Sequence, residues 1–316
     1  MASLAWAAKP DPVTKPAKPV SSSADIIKNS PDSDWRELDP ENTLVMTLPQ
    51  GQVLIELAPR FAPRHAANIR QLARNGYFDG LAVLRVQDNF VAQWGDPDAD
   101  DKAKARPIGS ASSQLPAEFS VALQGLPLQR LADVDGWAPL TGFVDGMPVA
   151  ADPKTKQAWL AHCYGMVGAG RSDAVDSSNG TELYAVIGHA PRGLDLNITV
   201  VGRVIKGIEL LSSLPRGGPN MGFYEQAGQR LPISTVRLLA DLPLAERSPL
   251  QLLRTDSQTW TQLLDARRKR GGWYVRSPRH IDICSANVPT RPGSKASKLE
   301  YIIPTKLGMV PSDRAA

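Results

Sequence analysis

Residues Leu81 to Asp96 read Leu-Ala-Val-Leu-Arg-Val-Gln-Asp-Asn-Phe-Val-Ala-Gln-Trp-Gly-Asp. This segment carries most of the information from which the fold is predicted. Its first half is an apolar run that contains one charged residue, Arg85, and a polar turn follows it. Phe90 and Gln93 then place an aromatic ring and an amide close to that arginine in the sequence. A charged group is seldom left inside an apolar run unless it is paired or lies in a cleft. Two interpretations fit: a small pocket that binds a carbonyl and a ring, or an edge strand whose Arg85 points to solvent.

The order of residues in this stretch resembles a family motif. Arg85-Val86 is followed by Phe90-Val91-Ala92-Gln93-Trp94-Gly95-Asp96. This is similar to the central motif of the cyclophilins, the peptidyl-prolyl cis/trans isomerases, in which an arginine precedes a phenylalanine at this spacing and a glutamine stands just before Gly-Asp. The resemblance favours the pocket over the edge strand.

The residues before the motif resemble the opening of a cyclophilin. Two β-rich runs, 43–48 and 52–57, are joined by Pro49-Gln50-Gly51, a pattern that predicts a hairpin. Residues 62–73 place Pro63 at a first helical turn and apolar side chains at helical spacing, and Asn75-Gly76 provides the stop. The sequence therefore predicts a hairpin followed by a helix.

Further blocks follow the motif in the family's order. Residues 165–170 resemble the strand along which the substrate peptide lies, residues 179–188 the family's Asn-Gly-Ser-Gln-Phe-Phe strand, and residues 194–204 its closing strand. Residues 206–211 would begin the last helix. Taken together, the resemblance spans roughly residues 40 to 240.

The resemblance implies a mainly β fold with flanking helices, a closed antiparallel eight-stranded β-barrel capped by two helices. It also divides the chain into three parts: a disordered lead over 1–35, a cyclophilin-like domain over 36–244, and a basic extension over 245–316 that packs on the barrel. Residues 120–160 are an insertion relative to compact members of the family. The insertion would emerge near the substrate groove, where it either covers or extends the groove or is a surface elaboration with no role in binding.

The resemblance also implies a function and a site. The function is isomerisation of X-Pro bonds in proline-containing peptides or unfolded proteins, which assists folding and needs no cofactor and no metal. Arg85 would stabilise the twisted amide, and Gln93 would orient Arg85 and bond the substrate backbone. The proline socket would consist of Phe90, Val91, Tyr184 and Leu194. The backbone of Ala169, Gly170 and Arg171 would hold the peptide as an extended strand.

Several positions depart from the family pattern. Leu84 stands where a histidine is usual, Val91 replaces a methionine, Glu182 a glutamine and Ile198 a late histidine. Gly193 falls where many eukaryotic members carry the tryptophan that binds cyclosporin. These changes motivate an alternative function, that of a peptide-binding or chaperone module with little isomerase activity.

The beginning of the chain leaves its location open. Residues 1–35 are rich in Pro, Ser and Lys, a composition that predicts disorder. Ala5-Trp6-Ala7 fits a small-x-small cleavage site, but the long apolar region of a signal peptide is missing. The chain is therefore either a periplasmic protein that keeps the remnant of an export signal or a cytoplasmic one. No apolar run is long enough to cross a bilayer.

The charge is concentrated at the end of the chain. The net charge is +4, yet residues 245–316 hold 13 Lys and Arg against 6 Asp and Glu. Residues 248–264 have apolar side chains near helical spacing, and a basic run up to Arg270 precedes Gly271-Gly272, which suits the C-terminal end of a helix. This structural explanation is preferred to nucleic-acid binding. The short apolar segments 273–275, 281–283 and 301–303 are predicted to pack on the barrel, and the protein is expected to be a monomer.

The chain has 2 cysteines and 4 histidines. Cys163 and Cys284 fit no zinc motif, and they are either two buried thiols or one bridge, which an oxidising compartment would permit. The histidines have no metal-ligand spacing, so no metal is expected.

Overall fold

The structure is a computed structural model that describes residues 22–271 and 273–293. The export-signal remnant suggested at residues 5–7 and the apolar segment 301–303 lie outside the described residues. Within the described part the α-helices are α1 (Ser23–Lys28), α2 (Pro63–Arg74), α3 (Ile208–Ser212) and α4 (Gln258–Arg268).

The strands fall into three consecutive groups along the chain. The first group is β1 (Trp35–Glu37), β2 (Thr43–Leu48), β3 (Gly51–Leu57), β4 (Ala82–Val86) and β5 (Val91–Gly95). The second is β6 (Val121–Ala122), β7 (Gln129–Leu131), β8 (Leu140–Val144), β9 (Met147–Asp152) and β10 (Gln157–Leu160). The third is β11 (Met166–Ala169), β12 (Leu183–Val186), β13 (Val200–Lys206), β14 (Leu231–Pro232), β15 (Thr235–Leu238), β16 (Leu250–Leu253) and β17 (Thr290–Pro292).

The main sheet is antiparallel and has nine strands in the order β14-β4-β5-β12-β11-β13-β3-β2-β15. It wraps around a core that α2 enters with Ala66, Ile69 and Leu72 and to which α3 contributes Leu211. The predicted hairpin is confirmed as β2 and β3, and the predicted helix begins at Pro63 as the sequence indicated.

The main sheet is a curled half-barrel, so the closed eight-stranded barrel implied by the resemblance is wrong. β14 pairs with β4 and β15 pairs with β2, and the two outermost strands do not pair with each other. They belong to one segment in which only Ile233 and Ser234 separate them. Because the chain runs on from β14 to β15 without a turn, the two strands follow one another and cannot lie side by side. The expected second capping helix is also small, since α3 has 5 residues.

Residues 121–160 form a separate five-stranded sheet in the order β6-β10-β9-β8-β7. Its side chains build a second core together with main-sheet residues and the end of the chain. This core includes Val149 and Trp159 from the insertion, Met166 and Val200 from the main sheet, and Trp260 from α4. The insertion is therefore a layer with its own sheet, packed directly against the strands next to it.

The two ends of the described chain meet in a third sheet, in which β16 lies between β1 and β17. Predicted disorder up to residue 35 is therefore wrong for residues 22–35. Trp35 is 5% exposed, and Ile26 and Ile27 pack against the second core. Apolar contacts with residues more than 200 positions away give this segment its order, and local composition cannot reveal them.

The C-terminal extension differs from its prediction in two places. The helix begins at Gln258, where Ser257 caps it, and the residues before it form β16. Leu250 and Leu252 of β16 pack on Val45 and Leu54 of the main sheet, which is the period of a strand. Trp273, predicted to cover the barrel, is instead 89% exposed. Its ring contacts Tyr274 edge to face at 5.4 Å, so these two rings pack on each other.

A disulfide joins Cys163, just before β11, to Cys284 in the extension. Of the two alternatives left open by the sequence, the structure contains the bridge. It closes a loop of 121 residues. None of the helices described here is long and apolar enough to span a membrane.

We expect Cys284→Ser to lower the free energy of unfolding by about 2–5 kcal/mol, because a bridge across a long loop restricts the unfolded chain. Cys163→Ser and the double variant should lose the same amount, since all three remove one bond. Urea denaturation followed by circular dichroism measures this. Equal stability of wild type and the double variant would contradict the prediction.

Candidate active site

Strand register brings the predicted site residues into one row. Arg85 of β4 lies opposite Gln93 of β5, Gln93 lies opposite Tyr184 of β12, and Tyr184 lies opposite Gly168 of β11. Side chains that face each other across an antiparallel pair project from the same side of the sheet. Arg85, Gln93 and Tyr184 therefore share one face.

This face is the outer one. The alternate residues Ala92, Trp94, Leu183 and Ala185 fill the core inside the curled sheet. Gly168 has a steric role at the end of the row, because a Cβ there would collide with the Tyr184 ring. Because Gly168 has no side chain, the Tyr184 ring can occupy this space.

Hydrogen bonds fix the Arg85 guanidinium. Its Nε donates to Met221 O at 2.6 Å, its Nη1 donates to Gln93 Oε1 at 3.0 Å, and its Nη2 donates to Gln87 Oε1. These bonds use three of the five N–H donors of an arginine. One hydrogen on each Nη nitrogen has no partner among residues 22–271 and 273–293. Arg85 is thus held in place and still has donors to offer to a substrate.

Two aromatic rings flank the same guanidinium. Its central carbon lies 5.6 Å from the Phe90 ring centroid and 5.2 Å from that of Phe223. Both distances are within the range of a cation–π interaction. Burial lowers the pKa of Arg85 from its ordinary value while the nearby Glu182 opposes this shift, and an arginine stays protonated in either case.

Phe223 and Met221 are site residues that the sequence reasoning missed. They lie in a loop that pairs with the end of β4 through the bond from Val86 N–H to Gly222 O, 2.8 Å long. Gly222 has φ +80°, and a Cβ there would lie 2.6 Å from Gln87 Cα, so only glycine allows this approach. The signal available in the sequence was the turn at Gly217-Gly218, which indicates a loop but not where the loop packs.

Gln93 connects Arg85 to Glu182. Its amide oxygen accepts from Arg85, and its side chain lies near the Glu182 carboxyl group, where it acts to lower the pKa of that group. Burial raises the pKa of Glu182, Asp100 adds to the increase, and Gln93 and the charge of Arg85 only partly oppose it. The acid that replaces the family's glutamine is therefore held in a site that disfavours its charge.

An apolar cluster lies beside Arg85 on the outer face. Val91, Tyr184 and Val186 are buried, and Phe90 and Ile198 pack against them. Phe90, Val91 and Tyr184 were predicted for the socket, whereas Val186 and Ile198 were not. Leu194 is half-buried on the 3₁₀ turn Arg192–Leu194 and is not a member of this cluster.

The backbone predicted to hold the peptide is partly occupied. Ala169 N–H donates to Thr199 O at 3.0 Å, and Gly170 N–H donates to Glu182 O at 2.8 Å. The Ala169 side chain belongs to the inner core. Arg171 donates from Nε to Asn197 O at 2.9 Å, so its guanidinium is bound to a neighbouring loop and not to the Arg85 side of the site. Only the remaining carbonyl groups and the Arg171 N–H of this segment are left for a peptide.

The described residues contain no group of three or more His, Cys, Asp or Glu side chains that could hold a metal ion. The groups that the described residues bring to this face are a fixed guanidinium, an amide and an apolar cluster.

Comparison with known proteins identifies the family. The family model described as "Cyclophilin type peptidyl-prolyl cis-trans isomerase/CLD" matches residues 43–238. The chain belongs to this cyclophilin family. The matched residues thus form a peptidyl-prolyl cis/trans isomerase domain, and they include the whole row from Arg85 to Gly168.

Relatives and a solved structure agree. Proteins named "Probable peptidyl-prolyl cis-trans isomerase" from Brucella suis and Brucella melitensis are each 30% identical over 185 residues, which cover 57% of this chain and 74% of theirs. The crystal structure of the cyclophilin AquaCyp293 from Hirschia baltica matches with a TM-score of 0.67 at 23% identity, and the match covers 89% of this chain and 100% of that one. The likeness in fold therefore extends beyond the cyclophilin domain.

We expect Glu182→Gln to raise the melting temperature at pH 7 and to leave it almost unchanged at pH 4. The pKa of Glu182 is raised in the folded protein, so between the unfolded value of about 4.3 and the folded value the folded state binds more protons. Stability is therefore lost as the pH rises through that window, and the amide avoids the loss. Calorimetry at the two pH values measures the difference.

Glu118→Gln is the matched control. Burial tends to raise the pKa of Glu118, but hydrogen bonds from His65 and Arg64 outweigh it and hold the pKa below its usual value. This variant should therefore be less stable than wild type at pH 7, with the difference shrinking in acid. The same sign for both variants would show that the burial of Glu182 is not what sets its pKa.

Proposed function

We propose that Arg85 is the main catalytic group of this cyclophilin and that the chain isomerises X-Pro bonds in peptides and unfolded proteins, and thereby assists folding. The observation that supports this most is the restrained guanidinium of Arg85, which keeps two unused N–H donors beside an apolar cluster. Membership of the cyclophilin family indicates which reaction is catalysed. The positions of Arg85, Gln93 and Tyr184 support the roles proposed for these residues.

The reaction requires electrostatics and no bond making. The uncatalysed barrier to rotation about the peptide bond is roughly 18–20 kcal/mol, and an X-Pro bond takes tens to hundreds of seconds to isomerise. In the twisted amide the resonance is lost, and the nitrogen gains a lone pair. A donor aimed at that nitrogen stabilises the twisted state more than the planar state, which is the condition for acceleration.

Arg85 fits this role because its position is set before the substrate arrives. Gln93, Gln87 and the carbonyl of Met221 hold three of its donors, so little reorganisation is needed during the reaction. The Phe90 and Phe223 rings lie within cation–π distance of the guanidinium and shield part of it from water, and a hydrogen bond is electrostatically stronger where less water is present. Gln93 is proposed to orient Arg85 through its carbonyl oxygen and to bond the substrate backbone.

The apolar cluster of Val91, Tyr184 and Val186, with Phe90 and Ile198 at its rim, is the proposed socket for the proline ring. Leu194 is proposed to bound the socket from its turn, and the backbone at Ala169, Gly170 and Arg171 to guide the peptide through the groups that remain unbonded. Val91 keeps the apolar character of the methionine that is usual in the family. The preserved contact of Arg85 with Gln93 favours catalysis over the alternative of a binding module with little activity.

We further propose that the chain works in an oxidising compartment such as the periplasm. The disulfide between Cys163 and Cys284 supports this, because such bonds persist mainly outside reducing cytosols. The basic run at the end of α4 gives little support to nucleic-acid binding. Arg268 is paired with Asp133 at 2.5 Å, and Arg267 donates to Asn287 O.

We expect Arg85→Ala to lower kcat/KM for an X-Pro peptide by about 100- to 1000-fold, the usual loss when one transition-state donor is removed. A protease-coupled assay with short proline peptides measures the rate, and circular dichroism verifies the fold. Arg237→Ala serves as the control, because Arg237 lies on β15, outside the site, and pairs with Asp79. Full activity of a folded Arg85→Ala protein would exclude Arg85 from the mechanism.

We expect cyclosporin to bind weakly, with a dissociation constant well above the nanomolar range, because Gly193 offers neither an indole ring nor its N–H donor. A Cβ at position 193 would meet no atom within 4 Å, so Gly193→Trp should fold normally. Isothermal titration should show tighter binding to this variant than to wild type. Nanomolar binding by the wild type would contradict the expectation that Gly193 removes part of the cyclosporin site.

A further inference from the structure

Buried polar side chains connect the proposed proline socket to the insertion. The Tyr184 hydroxyl lies 3.0 Å from Nε2 of His162, and Nδ1 of His162 lies 3.0 Å from Oδ1 of Asp195. A carboxylate only accepts hydrogen bonds, so Nδ1 of His162 carries a proton and donates to Asp195, while Nε2 makes the second bond of the ring with the tyrosine hydroxyl. His162 is 1% exposed, which excludes water from competing for these bonds.

Asp195 receives three further donors. They are the His162 backbone N–H at 3.0 Å, the Trp159 indole N–H at 3.1 Å, and Nε of Arg192 at 2.7 Å. The carboxylate therefore binds β10, the segment after it, and the turn that carries Leu194. Burial alone would raise the pKa of Asp195, but His162 and Arg192 outweigh it and hold the pKa below its usual value.

Arg192 continues the connection to the tip of the insertion. Its two Nη nitrogens donate to the two oxygens of Asp135 at 3.1 and 3.2 Å, and both side chains are almost fully buried. Asp135 also accepts from the N–H groups of Trp137 and Ala138. A bidentate pair of this kind fixes orientation as well as distance.

The same loop is bound from its other side by the C-terminal extension. Asp133 accepts from Nε of Arg268 at 2.8 Å and from Ile281 N–H at 3.0 Å. Residues 133–138 therefore lie between the extension and the turn of the socket, with a buried carboxylate facing each of them.

We propose that His162, Asp195, Arg192 and Asp135 are positioning residues of the isomerase, through which the insertion holds the Tyr184 ring and the Arg192–Leu194 turn and so sets the affinity for the proline residue. We name this chain of four residues the socket relay. It rests on the proposed function only in that the socket is taken as the place where proline binds.

The tyrosine itself shows why the relay is needed. The family's usual residue at position 184 is a phenylalanine, which has no polar group to satisfy. A buried hydroxyl without a partner is costly, and the sheet supplies none on this face. His162 stands in the segment that leaves the inserted sheet, so the insertion provides the hydrogen-bond partner that the tyrosine requires. The hydroxyl and the insertion are therefore complementary features of one pocket.

The first test is a double-mutant cycle on Tyr184 and His162. We expect His162→Leu to raise KM for a proline peptide by about 3- to 10-fold, the range for a lost hydrogen bond, with kcat changed less than twofold. Tyr184→Phe in the His162→Leu background should recover most of the loss, because two apolar groups then face each other. Additive losses, or a fall in kcat at unchanged KM, would overturn the proposal.

The second test compares two buried arginines. Arg192→Lys and Arg203→Lys each replace a buried arginine that is hydrogen-bonded to a carboxylate near the insertion. Arg203 is comparable to Arg192 because it pairs with Glu56 and donates to Gly146 O. A lysine cannot make the same set of bonds as an arginine. Both variants should melt at a lower temperature than wild type, but only Arg192→Lys should raise KM. A similar rise in both would mean that general loosening explains the effect, which overturns the relay.

A third measurement separates the relay from the isomerase activity. Nitrogen-15 NMR of wild-type His162 should show a ring protonated at Nδ1, with an Nε2 chemical shift that moves in Tyr184→Phe. This result supports the relay even in a protein without measurable turnover, in which case the proposed function alone would fail. An Nε2 shift that is insensitive to Tyr184→Phe would overturn the relay even in a fully active enzyme.

Discussion

Alternation of side chains along β5 and β12, with Arg85 of β4 placed on the same face by its pairing with Gln93, is the constraint on which the site depends. Residues such as Trp94 and Leu183 must point inward to fill the curled sheet, so their neighbours Gln93 and Tyr184 have to point outward. A slip of one residue in register would exchange the two sets and would cost both the core and the site. The row from Arg85 to Gly168 is therefore maintained by the hydrophobic core behind it, and the position of Arg85 depends on the packing of residues on the inner face of the sheet.

Predictions from the sequence were best where local order and spatial order coincide. Arg85 and Gln93 are eight positions apart and meet because a tight turn joins their strands, so the spacing of the motif was sufficient. Phe223 contacts the same guanidinium from a loop more than 130 positions away, and nothing in its local sequence indicates this. The errors have the same origin. Residues 22–35 were predicted from composition alone, whereas Trp35 is buried by β16 and the second core.

The individual ion pairs of this protein explain the positions of its charged side chains better than the net charge of a segment does. The extension is strongly basic, but the arginine at the end of α4 is bound to Asp133, and Arg291 stacks on Trp35 at 4.5 Å while it bonds Asp32. Buried ion pairs are weak evidence for stability because both charges lose their water, yet they are demanding in geometry. Arg192 lies between the carboxylates of Asp135 and Asp195, so this demand on geometry falls on the Arg192–Leu194 turn, the proposed edge of the proline socket. The composition predicted an excess of positive charge in the extension, whereas the fold determines which partner each charged side chain has.

The bonds that Asp133 makes with Arg268 and Ile281 have a consequence for the order in which the molecule is completed. Synthesis starts at the N-terminus, so the strands β4, β5, β11 and β12, which carry the row from Arg85 to Gly168, are made before the extension. The loop that contains Asp133 can form its bonds to Arg268 and Ile281 only after the extension has been synthesised, and Cys284, which forms the disulfide with Cys163, lies in the same extension. The newly made chain therefore passes through a stage in which the strands of the row have been made and the bonds of Asp133 to the extension have not. The inserted loop of this cyclophilin therefore gains its last contacts only when the C-terminal extension has docked.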